Sequence, residues 1–149
     1  MFEKIKHYFD KHISLAETNG AIEDKLEVAS AALLMEVMHT ERTFELEKQN
    51  LILVMLERTF SLSEEQAASL MEIAEHKRQQ ATDYYEFTHL ICNEFTHGQK
   101  IQLIESLWKI AFVDDTLNVE TEYLVDKVAR LLFIPHAELL ATRNRVKAG

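Results

Sequence analysis

The chain has 149 residues, a formal charge of −9, a pI near 5.2 and an apolar fraction of 47%. That is enough apolar material for the core of one ordinary domain, and the acidic surface it leaves repels phosphate backbones and anionic membranes, which disfavours nucleic acid and acidic partners but not cations or basic protein surfaces. Three Gly and one Pro supply too few turns for a sheet protein and point to an all-α fold.

Residues 2–13 place Phe2, Ile5, Phe9 and Ile13 on one stripe of a helix, with a polar loop at 14–21 ending in Asn19-Gly20. Residues 22–39, around Val28, Ala31, Ala32, Leu33 and Leu34, are apolar on most faces and predict a central buried helix. An acidic loop at 40–45 leads to a helix over 46–60 with Leu46, Leu51, Val54, Met55 and Leu56. Ser63 followed by Gln66 three residues on is a capping box for a helix reaching Arg78. Asp83 with Glu86 repeats the signal for a helix through Phe95, with His97-Gly98 as its stop.

Residues 99–112 predict a second buried helix, with Ile104, Leu107, Trp108 and Ala111, packed against 22–39. A second acidic loop covers 113–118, a helix follows over 119–132, and Pro135 opens a last helix to about Val146. The expectation is one domain over 1–149, a bundle of seven to eight helices with short connections.

The middle of the chain echoes itself. Asp114 lies opposite Glu41, Leu117 opposite Phe44 and Val119 opposite Leu46. After a slip of one residue, Leu53 pairs with Val125, Leu56 with Val128, Phe60 with Leu132 and Leu62 with Ile134. Such an offset implies a fold built by duplication, in which the two acidic loops hold equivalent places.

The second loop gathers Asp114, Asp115, Asn118, Glu120 and Glu122, and Glu41 sits at the matching point of the first. Clusters of oxygen donors suit Ca²⁺ or Mg²⁺, although the EF-hand pattern is missing. The ordinary alternative has Asp114 and Asn118 capping helices and the other acids in water. Asp114 is expected to be the most constrained acid, accepting backbone N–H bonds from the following turn.

Two Glu-x-x-His pairs, Glu36/His39 and Glu94/His97, have the spacing of di-iron bundles, without evident companion carboxylates on other helices. Glu72 and His76 read as an exposed i,i+4 pair. Trp108, Phe112 and Phe133 stand at core spacing, and Tyr84-Tyr85 is a modest pointer to an interface. The single cysteine, Cys92, in an apolar run, reads as a buried structural thiol, which suits a reducing cytoplasm. No run approaches the length needed to span a bilayer, and the first residues lack a signal-peptide pattern.

The run Ala111-Phe112-Val113-Asp114-Asp115-Thr116-Leu117-Asn118-Val119-Glu120-Thr121-Glu122, continued by Leu131-Leu132-Phe133-Ile134-Pro135-His136, resembles the TerB-like family of tellurite-resistance proteins. So does His39-Thr40-Glu41-Arg42-Thr43-Phe44 with Thr59-Phe60-Ser61-Leu62-Ser63-Glu64-Glu65, and the likeness covers roughly 25–145. The chain departs from the pattern at four places. Glu41 replaces the usual Asp, Arg42 and Asp115 occupy the usual Gly positions, and Lys48 stands where a helix-opening Glu is common. The resemblance implies an all-helical, non-enzymatic accessory or scaffold protein, linked to stress response, metal-ion binding and assembly with protein partners near the membrane.

Overall fold

In a computed structural model of the chain, residues 19–114 and 117–149 are described. They form seven helices and no strand: α1 (Asn19–Thr40), α2 (Glu45–Phe60), α3 (Glu64–Gln80), α4 (Tyr85–Glu94), α5 (His97–Ala111), α6 (Val119–Leu131) and α7 (His136–Ala148). The helix expected over 2–13 lies outside the described residues, as do Asp115 and Thr116.

Helix α1 is the axis of the bundle and touches α2, α3, α4, α5 and α6. Its sequence explains this. From Val28 to Val37 only Glu36 is more than marginally exposed, so the helix has no polar face to present to water and must be surrounded. It packs directly on α5, the other apolar helix, where Ile104, Leu107 and Ile110 are fully buried. The buried apolar residues of all seven helices form one cluster.

The two segments matched by the repeat share a backbone feature between the pairs Phe60/Leu132 and Leu62/Ile134. Ser61 after α2 and Phe133 after α6 both take left-handed φ, 54° and 58°. In each case a helix-closing 6→1 bond follows, from Leu62 N to Glu57 O at 3.0 Å and from Ile134 N to Ala129 O at 2.9 Å. This is the Schellman ending, usually made with Gly. Here it is made twice by residues with side chains, at the repeat offset of Phe60/Leu132.

Several boundaries differ from the sequence expectation. Asn19-Gly20 belong to α1 rather than to the loop before it. His97-Gly98 do not end α4. They open α5, because Thr96 accepts from Gln99 N and Gln99 reciprocates with its side chain, a capping box that starts a new helix one residue after Phe95 closes the old one. Asp83 accepts from Tyr85 N at 2.8 Å, but α4 starts at Tyr85 with Tyr84 as its flanking residue, so the reciprocal bond expected of Glu86 is not the one that caps it. The Ser63–Gln66 box forms as read.

Trp108 is 2% exposed, stacks on Phe112 and donates its indole N–H to Thr142 Oγ1 at 3.1 Å. Phe133 is 80% exposed, because the left-handed turn that closes α6 directs it outward rather than into the core. Cys92 is half-buried rather than buried, with Lys100 Nζ 3.7 Å from its sulfur. Among the described residues no helix is long and apolar enough to cross a membrane.

Candidate functional site

The two acidic loops meet. Helix α1 ends at Thr40, whose hydroxyl bonds Val37 O at 2.7 Å and Thr121 Oγ1 of α6 at 2.5 Å. The chain then turns through Phe44, held at φ 54° without a side-chain cap, and enters α2. One turn into α2, Lys48 points inward and is only 2% exposed. Its ammonium donates to Asp114 Oδ2 at 2.7 Å and to Glu41 O at 3.2 Å. Thr43 donates to the other carboxylate oxygen, Asp114 Oδ1, at 2.6 Å.

Asp114, just beyond α5, is therefore clamped by groups from the first loop and from α2. This differs from the local, backbone-accepting role expected of it. The clamp joins the two halves of the repeat through an ion pair whose side chains are 2% and 9% exposed. Burying two charges is costly, and good hydrogen bonding on both oxygens is what makes such a pair tolerable.

The other residues of the proposed cation set do not converge on Asp114. Asn118 caps α6, its Oδ1 accepting from Glu120 N at 2.7 Å, as the capping alternative holds. Glu120 is exposed. Glu122 is exposed and pairs with Arg143 at 3.3 Å. Glu41 is half-buried and reaches the clamp through its backbone carbonyl. Asp115 lies outside the described residues. Among the described residues no group of three or more His, Cys, Asp or Glu is placed to hold a metal ion.

The Glu-x-x-His pairs resolve differently from a di-iron arrangement. Glu94 ends α4 and His97 begins α5, so that spacing straddles a break instead of following one helix face. His97 bonds Glu138 of α7 at 2.8 Å. Glu36 and His39 belong to a network that sequence reasoning missed. Arg78 of α3 bonds Glu36 at 3.2 Å and Glu75 at 2.5 and 3.0 Å. His39 Nε2 bonds Glu75 Oε2 at 2.9 Å.

In that network burial acts most strongly on Glu75 and would raise its pKa. The hydrogen bonds from Arg78 and His39 and their charges together outweigh it and hold the carboxyl below its usual range. No sequence signal tied α1 to α3 here, since the partners are some 40 residues apart in sequence. Both polar clusters thus act as bolts between helices: one joins α2 to the end of α5, the other α1 to α3.

Large apolar side chains stand in water around the joined loops. Phe44 is 51% exposed, Leu46 in the first turn of α2 is 69%, Val119 in the first turn of α6 is 80%, and Tyr123 one turn on is 61%. Leu46 and Val119 are the pair matched by the repeat. Val119 and Tyr123 also edge a groove of about 380 Å³ floored by Trp108 and Leu139.

No curated protein and no solved structure matches the chain. The family described as Tellurite resistance protein TerB matches residues 27–144, a span that takes in most of α1, both acidic loops, the Lys48–Asp114 clamp and most of α7. With its all-helical bundle and paired loops, the chain belongs to the TerB family.

Proposed function

We propose that the protein is a non-enzymatic accessory or scaffold protein that binds a protein partner, in the stress response to tellurite and related oxyanions that its family points to. The observation that carries the reading is the apolar surface at the loop end. Leu46 and Val119 occupy equivalent repeat positions and are both mostly exposed, beside Phe44 and Tyr123. A clamp holds these first helical turns in fixed relation, which suits a preformed binding surface. Beside them Lys48 pairs with Asp114 and Glu122 with Arg143.

The role of a loop cation falls, in this reading, to the Lys48 ammonium. It already meets the Asp114 carboxylate and the Glu41 carbonyl, two of the oxygens that Ca²⁺ or Mg²⁺ would need. A divalent ion is then expected to compete only when Lys48 loses its charge.

The test is proximity labelling in the native cell with the wild type and a Leu46→Asp/Val119→Asp variant. Both sites are exposed, so folding should be retained. The variant should lose a specific set of labelled neighbours and should fail to restore growth on tellurite in a deletion strain. An unchanged set of neighbours, at equal protein level, would remove the loop end from the function.

A further inference from the structure

A second face of the molecule carries a separate inference. Between α1, α2 and α5 runs a groove of about 500 Å³, within the range of preformed ligand sites. Its floor is apolar, with Leu34, Leu56, Leu103 and Phe60 among the lining residues. Among the described residues its charged lining residues are carboxylates, Glu23, Glu27 and Glu94; Glu27 already has a partner of its own, which leaves the exposed Glu23 and Glu94 to meet a ligand. Ser30 lines it too, is 3% exposed, and among the described residues its buried hydroxyl has no hydrogen-bond partner. A buried hydroxyl without a partner costs free energy, which is recovered if a bound molecule supplies the missing bond.

The shape argues for an elongated occupant. The α1 wall runs from Glu23 to Leu34, about 16 Å at the rise of an α-helix. The α5 wall contributes Gln99, Gln102, Leu103 and Ser106, the spacing of one helix face. A three-turn helix fits such a trough, laying its apolar stripe on the floor and its basic residues against the carboxylates.

We propose that this groove docks a basic amphipathic helix of a partner protein. The inference goes beyond the loop-end reading and does not depend on it.

The experiment uses the full-length protein and a fluorescein-labelled Leu/Lys peptide of about 14 residues with its leucines on one helical stripe, read by polarisation at near-physiological salt. A Leu/Glu counterpart should bind about tenfold more weakly or not at all, and so should a Ser/Lys counterpart that lacks the apolar stripe. Glu23→Lys with Glu94→Lys should weaken the Leu/Lys peptide about tenfold with little change in melting temperature, because both residues are exposed. Glu64→Lys with Glu65→Lys, at the exposed start of α3, should leave affinity within about twofold.

Equal weakening by both charge reversals would mean attraction to the bulk negative charge and would overturn the proposal. So would equal binding of the Leu/Glu peptide, or of tetraphenylphosphonium as tightly as the Leu/Lys peptide, which would make the groove a small-cation site. An Ile5→Asp/Phe9→Asp variant that takes up the peptide about tenfold more tightly would assign the groove to the chain's own first residues and overturn the partner assignment. The Leu46→Asp/Val119→Asp variant should bind the peptide normally, so failure here and failure at the loop end are read separately.

Discussion

Removing one member of the Lys48–Asp114 pair should be far more damaging than removing both. At 2.7 Å and an effective dielectric near 20, the attraction is about 6 kcal/mol. Desolvation of two nearly buried ions opposes it by several kcal/mol each, so the net worth of the pair is small. Lys48→Ala strands a buried carboxylate that keeps only the Thr43 bond among its described side-chain partners. Asp114→Ala strands a buried ammonium with only the Glu41 carbonyl as a described partner. Each should cost about 3–5 kcal/mol, well above the roughly 1–2 kcal/mol that a capping aspartate would cost. At roughly 3 °C per kcal/mol for a domain of this size, the melting temperature should fall by about 9–15 °C. The double variant Lys48→Met/Asp114→Leu removes both charges while keeping volume, and should stay within about 2 kcal/mol of the wild type. Urea unfolding followed by circular dichroism, with Lys48→Met and Asp114→Leu also measured alone, gives the four free energies of a closed cycle. Single variants that each cost less than about 1 kcal/mol, or a double variant equal to their sum, would show that the clamp is solvated and that the reasoning fails.

Four further outcomes follow from the geometry. Adding Ca²⁺ should leave the wild-type melting temperature unmoved and raise that of Lys48→Ala, because only the variant offers Asp114 and Glu41 O without a resident ammonium; differential scanning fluorimetry with and without chelator reads it. Since the Glu75 carboxyl is held below its usual range, its contribution is fully present above the unfolded-state value of about 4.3 and is lost as pH falls through the lower folded value. The gap in melting temperature between wild type and Glu75→Gln should therefore be widest near neutrality and close in acid, and a gap independent of pH would refute the charge-based account. Ser63→Ala should cost about 1 kcal/mol through loss of the α3 capping box, and Thr142→Val about 1–3 kcal/mol by leaving the Trp108 indole N–H unsatisfied, both by chemical denaturation.

The helices were legible because their signals are local. The apolar run of α1 and the Ser63–Gln66 box each state their meaning within a few residues, and both appear in the fold as read. The errors arose where one local signal competed with another. Gly98 carries the usual mark of a helix end, yet Thr96 and Gln99 form a reciprocal cap around it, and two satisfied N–H groups outweigh the preference of one glycine for a left-handed turn. Conversely, Ser61 and Phe133 take left-handed positions with no glycine to announce them. The matching 6→1 bonds after α2 and α6 give both helices the same backbone ending with different residues.

The candidate site was legible in part for the opposite reason. The acids of the second loop were visible as a cluster, and a cluster of acids suggests a mobile cation from solution. What the sequence could not place was the counter-charge. Lys48 is 66 residues from Asp114 and falls on a helix that, read alone, puts it among ordinary surface positions between Glu47 and Gln49. Its departure from the family pattern at the start of α2 was the available clue: a cation standing where an acid is common. A lysine tethered to the backbone has a fixed effective concentration and no dependence on ion supply. If the Lys48–Asp114 pair serves in place of a bound cation, Leu46 and Val119 should be presented in the same arrangement with or without calcium or magnesium. Binding to this end of the bundle should then be indifferent to chelator, and a partner whose binding vanishes in chelator would have to be sought on another face.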